Sequence, residues 1–291
     1  MNKKLKIAIP KGSLQEQTAR LFQKAGFDIR ISSYNYFPVV DDPQIEAMLV
    51  RAQEIPRYVE NGIVDMGITG HDWVIETKAN VTEVDELIYA RGGMNKVRWV
   101  LAVPENSPIQ TVKDLEGKIV ATELVQFSKN YLEKEGVHAK VEFSWGATEI
   151  KPPYLADAII EITETGSTLR ANKLRIIQDI LESTTRIIAN HESWKDEWKR
   201  EKIQNIVMLL KAALAAEGKV GLLLNVEEKN LEPLIKILPA LKKPTISRLT
   251  EPGWYSISTI AEEKVVRELI PKLKKMGATG IVEFPLNKVL D

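Results

Sequence analysis

The 291-residue sequence contains no cysteine. Disulfides, thiolate nucleophiles and cysteine-based metal centres are thereby excluded. Histidine is nearly as scarce: His71, His138 and His191 lie far apart, and "HESWK" lacks the second histidine of a zinc-protease helix. G-x-x-x-x-G-K-[ST], G-x-G-x-x-G and G-x-S-x-G are all missing, so three common signatures of nucleotide binding and serine hydrolysis are absent. There is no excess of charge either, since Lys+Arg and Asp+Glu both total 40. That balance argues against nucleic acid as an obligate partner. No uninterrupted apolar run is long enough to span a bilayer, and Pro10 ends the short apolar run of "MNKKLKIAIPKG", unlike a signal peptide or anchor. A cytoplasmic protein with no membrane partner is expected.

What is present is alternation. "LKIAIP" reads as a strand and "SLQEQTARLFQKAG" as a helix, with Ser13 as N-cap and Gly26 as stop. "AMLVRA" is strand-like, "EIPRYVENG" helical, and "VDMGITG" a strand ending in a loop. A second unit repeats the pattern: "VRWVLAVP", a helix around "TVKDLEG", then "KIVATE", "FSKNYLEKEG" and "AKVEFS". Such alternation implies βαβ crossovers, a mostly parallel sheet, and here two α/β lobes with a cleft between them. Beyond about Ala212 the order becomes βαββαβ, a ferredoxin-like motif, entered through a helix from about Trp194 to Ala216. In its last helix Val265, Leu269 and Leu273 form an apolar stripe with Val266, Ile270 and Met276, and Pro271 interrupts the pattern. The expected division is residues 1–95 with 178–211 as lobe I, 96–177 as lobe II, and 212–291 as the tail domain.

The densest chemistry lies in "ADAIIEITETGSTLRAN", where a strand of β-formers runs into hydroxyls around one glycine. Gly166 can turn successive N–H groups into one concavity, and Thr163, Thr165, Ser167 and Thr168 add hydroxyl donors. That describes a phosphate cradle opening onto a helix N-terminus; an ordinary turn that caps the next helix fits equally well. Asp157 and Glu161, four apart, share a strand face, and Glu149 in "GATEIKPP" offers a third acid. Carboxylates beside a phosphate site suit ribose hydroxyls or Mg²⁺, so the group as a whole reads as a sugar-phosphate site with metal. Lys11 in "PKGS", Arg51 and Arg98 flank strands and read either as phosphate ligands or as solvated surface cations.

Together "IPKGSLQ", "RAQEIPRYVENGIVDMGITGHDW", "VRWVLAVP", "GATEIKPPYLADAIIEITETGSTLRAN" and "PTISRL…GWYSISTI…GATGIVEFPL" resemble the long form of the ATP phosphoribosyltransferase family over nearly the whole chain. The resemblance implies two lobes like those of periplasmic binding proteins and a ferredoxin-like regulatory domain. It implies condensation of ATP with 5-phosphoribosyl 1-pyrophosphate, with Mg²⁺, as the first step of histidine biosynthesis under feedback inhibition by histidine. By position, Glu149 and Glu161 would hold ribose hydroxyls and Mg²⁺, with Asp157 nearby. Glu164, Thr165, Gly166, Ser167, Thr168 and Leu169 would wrap the 5′-phosphate. Lys11, Arg51 and Arg98 would face ATP and pyrophosphate as catalytic cations, and Asn225 and Thr245 would contact histidine. Homo-oligomers, dimeric and hexameric, are implied too. Ser13 stands where many members have Arg, as does Tyr34 or Asn35 in "SSYNYFP". The rival reading is a cytoplasmic solute-binding or sensory module built on the same two lobes.

Overall fold

The structure, a computed structural model, describes residues 3–290 except 33, 91, 92, 94 and 240–242. The chain divides into two compact units, Met1–Val207 and Met208–Asp291.

The first unit opens with β1 (Leu5–Lys11), α1 (Gln15–Ala25), β2 (Ile29–Arg30), β3 (Val39–Val40) and β4 (Ile45–Arg51). It continues through α2 (Ile55–Glu60), β5 (Met66–Gly70), α3 (His71–Thr77) and β6 (Thr82–Leu87). Then come β7 (Val97–Pro104), β8 (Ile119–Thr122), α4 (Val125–Lys134), β9 (Lys140–Phe143) and β10 (Ala158–Thr163). The short α5 (Ser167–Ala171), β11 (Leu174–Ser183), β12 (Thr185–Ala189) and α6 (His191–Lys195) lead into α7 (Glu197–Ala215). One sheet is ordered β4-β1-β5-β12-β6 and the other β9-β8-β10-β7-β11. The orders match position by position. In each sheet one strand, β12 or β7, runs against the other four. These odd strands are the ones that directly follow a crossover from the other sheet, so each lobe borrows its reversed strand from the chain's return.

The crossovers fix the lobe limits. β11 belongs wholly to the second sheet, so the return falls at Thr184 rather than at residue 178. Alternation along β7 shows why the second sheet is covered on both faces. Trp99, Leu101 and Val103 enter one apolar cluster, while Val100 and Ala102 enter the other. The first sheet packs Ala8, Val50 and Ile188 against Ile55, Val59 and Val74 of the neighbouring helices.

Some local expectations give way. Leu14, not Ser13, occupies the N-cap of α1, and no side chain caps it. Gln15 N–H is instead bonded to Gly12 O at 3.1 Å, a backbone turn that does the work assigned to the serine. Gly26 does stop that helix, at φ 101°. "TVKDLEG" closes only one 3₁₀ turn, Val112–Leu115, held by a Thr111–Asp114 capping box. Asp196 adopts an extended backbone, which separates α6 from α7 and delays the long helix to Glu197.

The second unit contains β13 (Lys219–Glu227), α8 (Glu228–Ile237), β14 (Thr245–Arg248), β15 (Trp254–Glu262), α9 (Glu263–Lys275) and β16 (Thr279–Pro285). Its antiparallel sheet is ordered β14-β15-β13-β16, the ferredoxin-like arrangement. Val266, Leu269 and Leu273 bury the seam of α9 against Leu222, Leu224 and Val226. Val265 lies outside that seam, 43 % exposed, because a 3.6-residue period carries the 266–269–273 row over the sheet.

Candidate functional site

Lys11 and Arg51 are register partners at the carboxyl ends of the parallel strands β1 and β4. Two cations therefore stand side by side where an open α/β sheet receives ligands. Both line a cleft of about 770 Å³ in the first unit. The Lys11 ammonium lies 3.9 Å from the centroid of the Tyr36 ring, a cation–π contact.

The second sheet supplies the acidic wall. Glu161 and Thr163 end β10, Glu123 follows β8, and Glu149 sits in the 3₁₀ turn Thr148–Ile150; all four line the cleft. Burial pushes the Glu161 carboxyl up from 4.5 to about 7; the Thr148 hydroxyl and the Ile162 N–H oppose that rise, while Glu149 and Glu123 add to it. Glu123 is a site residue that sequence reasoning missed, because one acid at a strand end carries no pattern of its own.

The loop after β10 is built by two side chains. The buried Thr163 hydroxyl accepts the Gly166 N–H at 2.8 Å, closing the turn. Arg170 donates to the Thr165 carbonyl at 3.1 Å. Gly166 sits at φ 73°, and a Cβ there would lie 3.0 Å from Arg170 Nη1. No side chain caps α5. The loop combines both readings left open by the sequence: threonine hydroxyls accept the Gly166 and Ser167 N–H groups, and Glu164, Thr165, Ser167 and Thr168 line the cleft. Leu169 is buried among Val100, Ile159 and Leu174 and anchors the short helix from beneath.

Two expected site residues lie elsewhere. Asp157 precedes β10, at the end away from Glu161, about 13 Å along an extended chain. Its carboxylate accepts the Ile119 N–H at 2.9 Å and fastens β8 to β10. Spacing along a strand does not tell which end of it meets the cleft. Arg98 donates to Asp179 of neighbouring β11 at 2.6 Å and is not among the cleft-lining residues.

The back of the cleft is the junction of the lobes. Asp72, in the first turn of α3, is buried and accepts the indole N–H of Trp99 on β7 at 2.7 Å. Its own N–H is bonded to Ser183 Oγ, at the end of β11, at 3.1 Å. Burial holds the Asp72 carboxyl above the usual range despite these bonds. Gly70 leaves the room required, since a Cβ there would stand 2.0 Å from Asp72 Oδ1. Next along, Thr184 donates to Glu86 at 2.7 Å and Thr185 to the Tyr89 carbonyl at 2.9 Å. Ser183, Thr184 and Thr185 are buried and line the cleft. Their sequence signal, three hydroxyls between two β-branched runs, was legible but unread.

In the second unit Asn225 and Thr245 lie on β13 and β14, with β15 between them. Thr245 is in register with Ser258, and Ser258 with Leu223, so Asn225 shares Thr245's sheet face two residues further on. That face is the one turned away from Leu222 and Leu224.

The strand orders define a two-lobed α/β body in which strand-end cations and an acid-and-hydroxyl loop line one cleft. A likeness in fold extends to the structure of Tv2483 bound to L-arginine, at 13% identity and TM-score 0.51, covering 74% of this chain and 87% of that one. The ATP phosphoribosyltransferase profile matches residues 51–212, and the profile of that family's C-terminal domain matches 216–288. The chain belongs to the ATP phosphoribosyltransferase family. It is 58% identical over 290 residues to the ATP phosphoribosyltransferase of Chlorobaculum parvum, covering 100% of this chain and 99% of the relative. Identity to that of Solibacter usitatus is 59% over 286 residues, covering 98% and 99%. The ATP phosphoribosyl transferase (HisG:HisZ) complex from Thermotoga maritima contains a chain 27% identical, with TM-score 0.60, matched over 98% of its length and 71% of this one. Among the described residues no helix is long and apolar enough to cross a membrane.

Proposed function

We propose that this chain condenses ATP with 5-phosphoribosyl 1-pyrophosphate to N1-(5-phosphoribosyl)-ATP and pyrophosphate, the first step of histidine biosynthesis. The observation that carries the reading is the cleft's division: Lys11 and Arg51 on one sheet, and Glu161, Glu149 and the Thr165–Thr168 loop on the other. Adenine N1 carries a lone pair and no proton, so its attack on C1 of the ribose needs no general base. The C1–O bond breaks with its electron pair leaving on pyrophosphate, and C1 inverts. Catalysis then rests on aligning the two substrates and on charge stabilisation at the leaving group. Glu161 would accept from ribose hydroxyls, with Glu149 beside it. Thr165, Ser167 and Thr168 would donate to the 5′-phosphate, in a loop shaped by Gly166 and bordered by Glu164. Lys11 and Arg51 would face the polyphosphates.

Mg²⁺ fits this donor set in one respect. Carboxylate oxygens suit a hard cation that keeps its waters and shares ligands with substrate phosphates, although the described residues hold no ready cage of three metal-binding side chains. Glu149 and Glu161 would hold it, and when bound it would supply charge neutralisation at the leaving pyrophosphate.

The second unit would bind histidine as feedback inhibitor, with Asn225 and Thr245 among its contacts, in a cytoplasmic homo-oligomer, dimeric or hexameric. The matched Thermotoga chain covers only part of this one, which supports a self-sufficient enzyme carrying its own regulatory domain. Steady-state release of pyrophosphate, with either substrate omitted in turn and with histidine added, tests both parts. Tight binding of small molecules without turnover would favour a solute-binding module instead. Turnover unaffected by histidine would remove the regulatory reading.

A further inference from the structure

The helix α4 begins without a cap of its own. Its N-cap position is Leu124, which is buried and offers no side-chain acceptor. The ladder of the helix starts with the Ser128 N–H on Leu124 O at 3.0 Å. The N–H groups ahead of it need acceptors from elsewhere. They come from the other lobe. Glu76 in α3 accepts the Gln126 N–H on Oε1 and the Phe127 N–H on Oε2, each at 2.9 Å. Both oxygens of one carboxylate are thus committed to the second and third residues of α4, where a negative charge also suits the helix dipole.

The spacing along α3 prepares this grip. Asp72, Trp73 and Glu76 fall three and four residues apart, on one side of a single turn. All three meet the second lobe. Asp72 accepts the Trp99 indole N–H, and Trp73 packs against the apolar cluster that holds Trp99, Leu101 and Val103. Glu76, half-buried, takes the start of α4. Both helices leave strand ends that line the cleft, α3 from Gly70 of β5 and α4 after Glu123 of the β8 end. The Leu124 N–H is bonded to Thr122 Oγ1 at 3.0 Å, which leaves little slack between β8 and the helix.

We propose that Glu76 is a positioning residue, an interlobe latch that holds the two walls of the cleft at their present spacing before any substrate arrives. Two-lobed bodies of this architecture close around ligands by hinge motion. With the latch made, the freedom of the lobes is lost on folding instead of on binding. The kinetic consequence rests on the proposed function, in which the phosphoribosyl donor spans both walls, its ribose at Glu161 and its pyrophosphate toward Lys11 and Arg51. An open population weakens the apparent affinity for such a bridging substrate in proportion to the fraction that is open. The donor, once bound, restores the spacing for ATP.

Two measurements on the full chain test this. The first is hydrogen exchange of the substrate-free protein, read in overlapping peptides. In the wild type the Gln126 and Phe127 amides should exchange as slowly as the interior of α4, unlike the open N–H groups of an uncapped helix start. Glu76→Ala should speed both by about tenfold or more, the scale of one hydrogen bond to a charged group, while β8 and β10 keep wild-type protection. The second is steady-state pyrophosphate release. Glu76→Ala is expected to raise KM for the phosphoribosyl donor about tenfold, with kcat and the KM for ATP at saturating donor unchanged. If Glu76→Ala fails to fold, Glu76→Gln, which keeps the length and one acceptor, should show the same changes at smaller size. Fast exchange of both amides in the wild type overturns the latch, as does wild-type behaviour in the folded variants. A fall in kcat with KM unmoved, the pattern of a merely destabilised fold, overturns it too. So does release of the two amides with no change in KM for the donor. If exchange follows the expectation but the wild type does not turn over ATP with the phosphoribosyl donor, the proposed function falls and the latch stands.

Discussion

The indole N–H of Trp99 donates to the carboxylate of Asp72 at 2.7 Å, inside the protein and across the line where the lobes meet. Trp99 belongs to the reversed strand of one sheet, and Asp72 to the helix that leaves the other. Trp73 packs edge-on against the same indole, with ring centroids 6.1 Å apart. This buried bond joins the lobes together with the Asp72 N–H bond to Ser183 Oγ and the bonds from Gln126 and Phe127 N–H to the Glu76 carboxylate. Trp99→Phe preserves the ring packing and strands the acceptor. We expect it to cost about 1–3 kcal/mol, the penalty of leaving a buried acceptor unpaired. Urea unfolding with an unchanged slope checks this, and an unchanged midpoint would show that the bond contributes nothing.

How much of this could be read beforehand follows from what each signal depends on. The strands β1 and β10 and the loop after Thr163 were legible, because a short run of β-formers and a hydroxyl-rich turn are local properties. The ferredoxin-like order was legible for the same reason. Asp157 and Arg98 were misplaced because each required knowing which end of a strand, or which neighbouring strand, faces the cleft. That is a property of the assembled sheet. Glu123 and Asp72 are lone acids, and only convergence in space gives them partners. Lys151 was passed over because a lysine in a loop is usually solvated, whereas its ammonium donates to the buried Ser144 Oγ at 2.6 Å.

Glu161 should make both activity and stability depend on pH near neutrality. Its carboxyl is raised from 4.5 to about 7 in the folded protein, first by burial. Between those values the native state binds more protons than the unfolded chain, so its contribution makes stability fall as pH rises through the window. Above about 7 the cost of holding a buried carboxylate is fully present. Ribose binding needs the ionised form, so kcat/KM for the phosphoribosyl donor should rise with pH, with a midpoint near 7 in the free enzyme. Glu161→Gln should abolish that limb and flatten the stability slope between pH 4.5 and 7. A pH–rate profile set against chemical unfolding at several pH values reads both. A limb that survives in Glu161→Gln belongs to another group.

Arg98 provides the opposite expectation. It is engaged with Asp179 on the neighbouring strand and does not line the cleft. Both side chains are well exposed, 37% and 52%, so solvent screens the pair. Arg98→Gln should change stability by less than about 1 kcal/mol, as exposed pairs do. It should leave kcat and both KM values at wild-type levels. Arg51→Gln, at the cleft end of β4, should instead raise KM or lower kcat. Steady-state kinetics of the two variants in parallel decides between the cations, and a large loss of turnover in Arg98→Gln would return that arginine to the site.

Gly166 is where the loop's shape and its chemistry meet. The residue lies at φ 73°, and its N–H is held by Thr163 Oγ1 at 2.8 Å. Alanine there pays the left-handed penalty of roughly 1–2 kcal/mol. Its Cβ also presses to 3.0 Å on Arg170 Nη1, the atom that braces the Thr165 carbonyl. The arginine can move aside, because it is the flexible end of an exposed side chain, but the brace is then lost. Gly166→Ala should therefore lower the thermal midpoint by a few degrees and raise KM for the phosphoribosyl donor, with little change for ATP. Arg170→Gln removes the brace without the backbone strain and should reproduce the kinetic effect with a smaller loss of stability. If Gly166→Ala loses stability while Arg170→Gln is kinetically silent, the brace is irrelevant and the glycine serves only the turn.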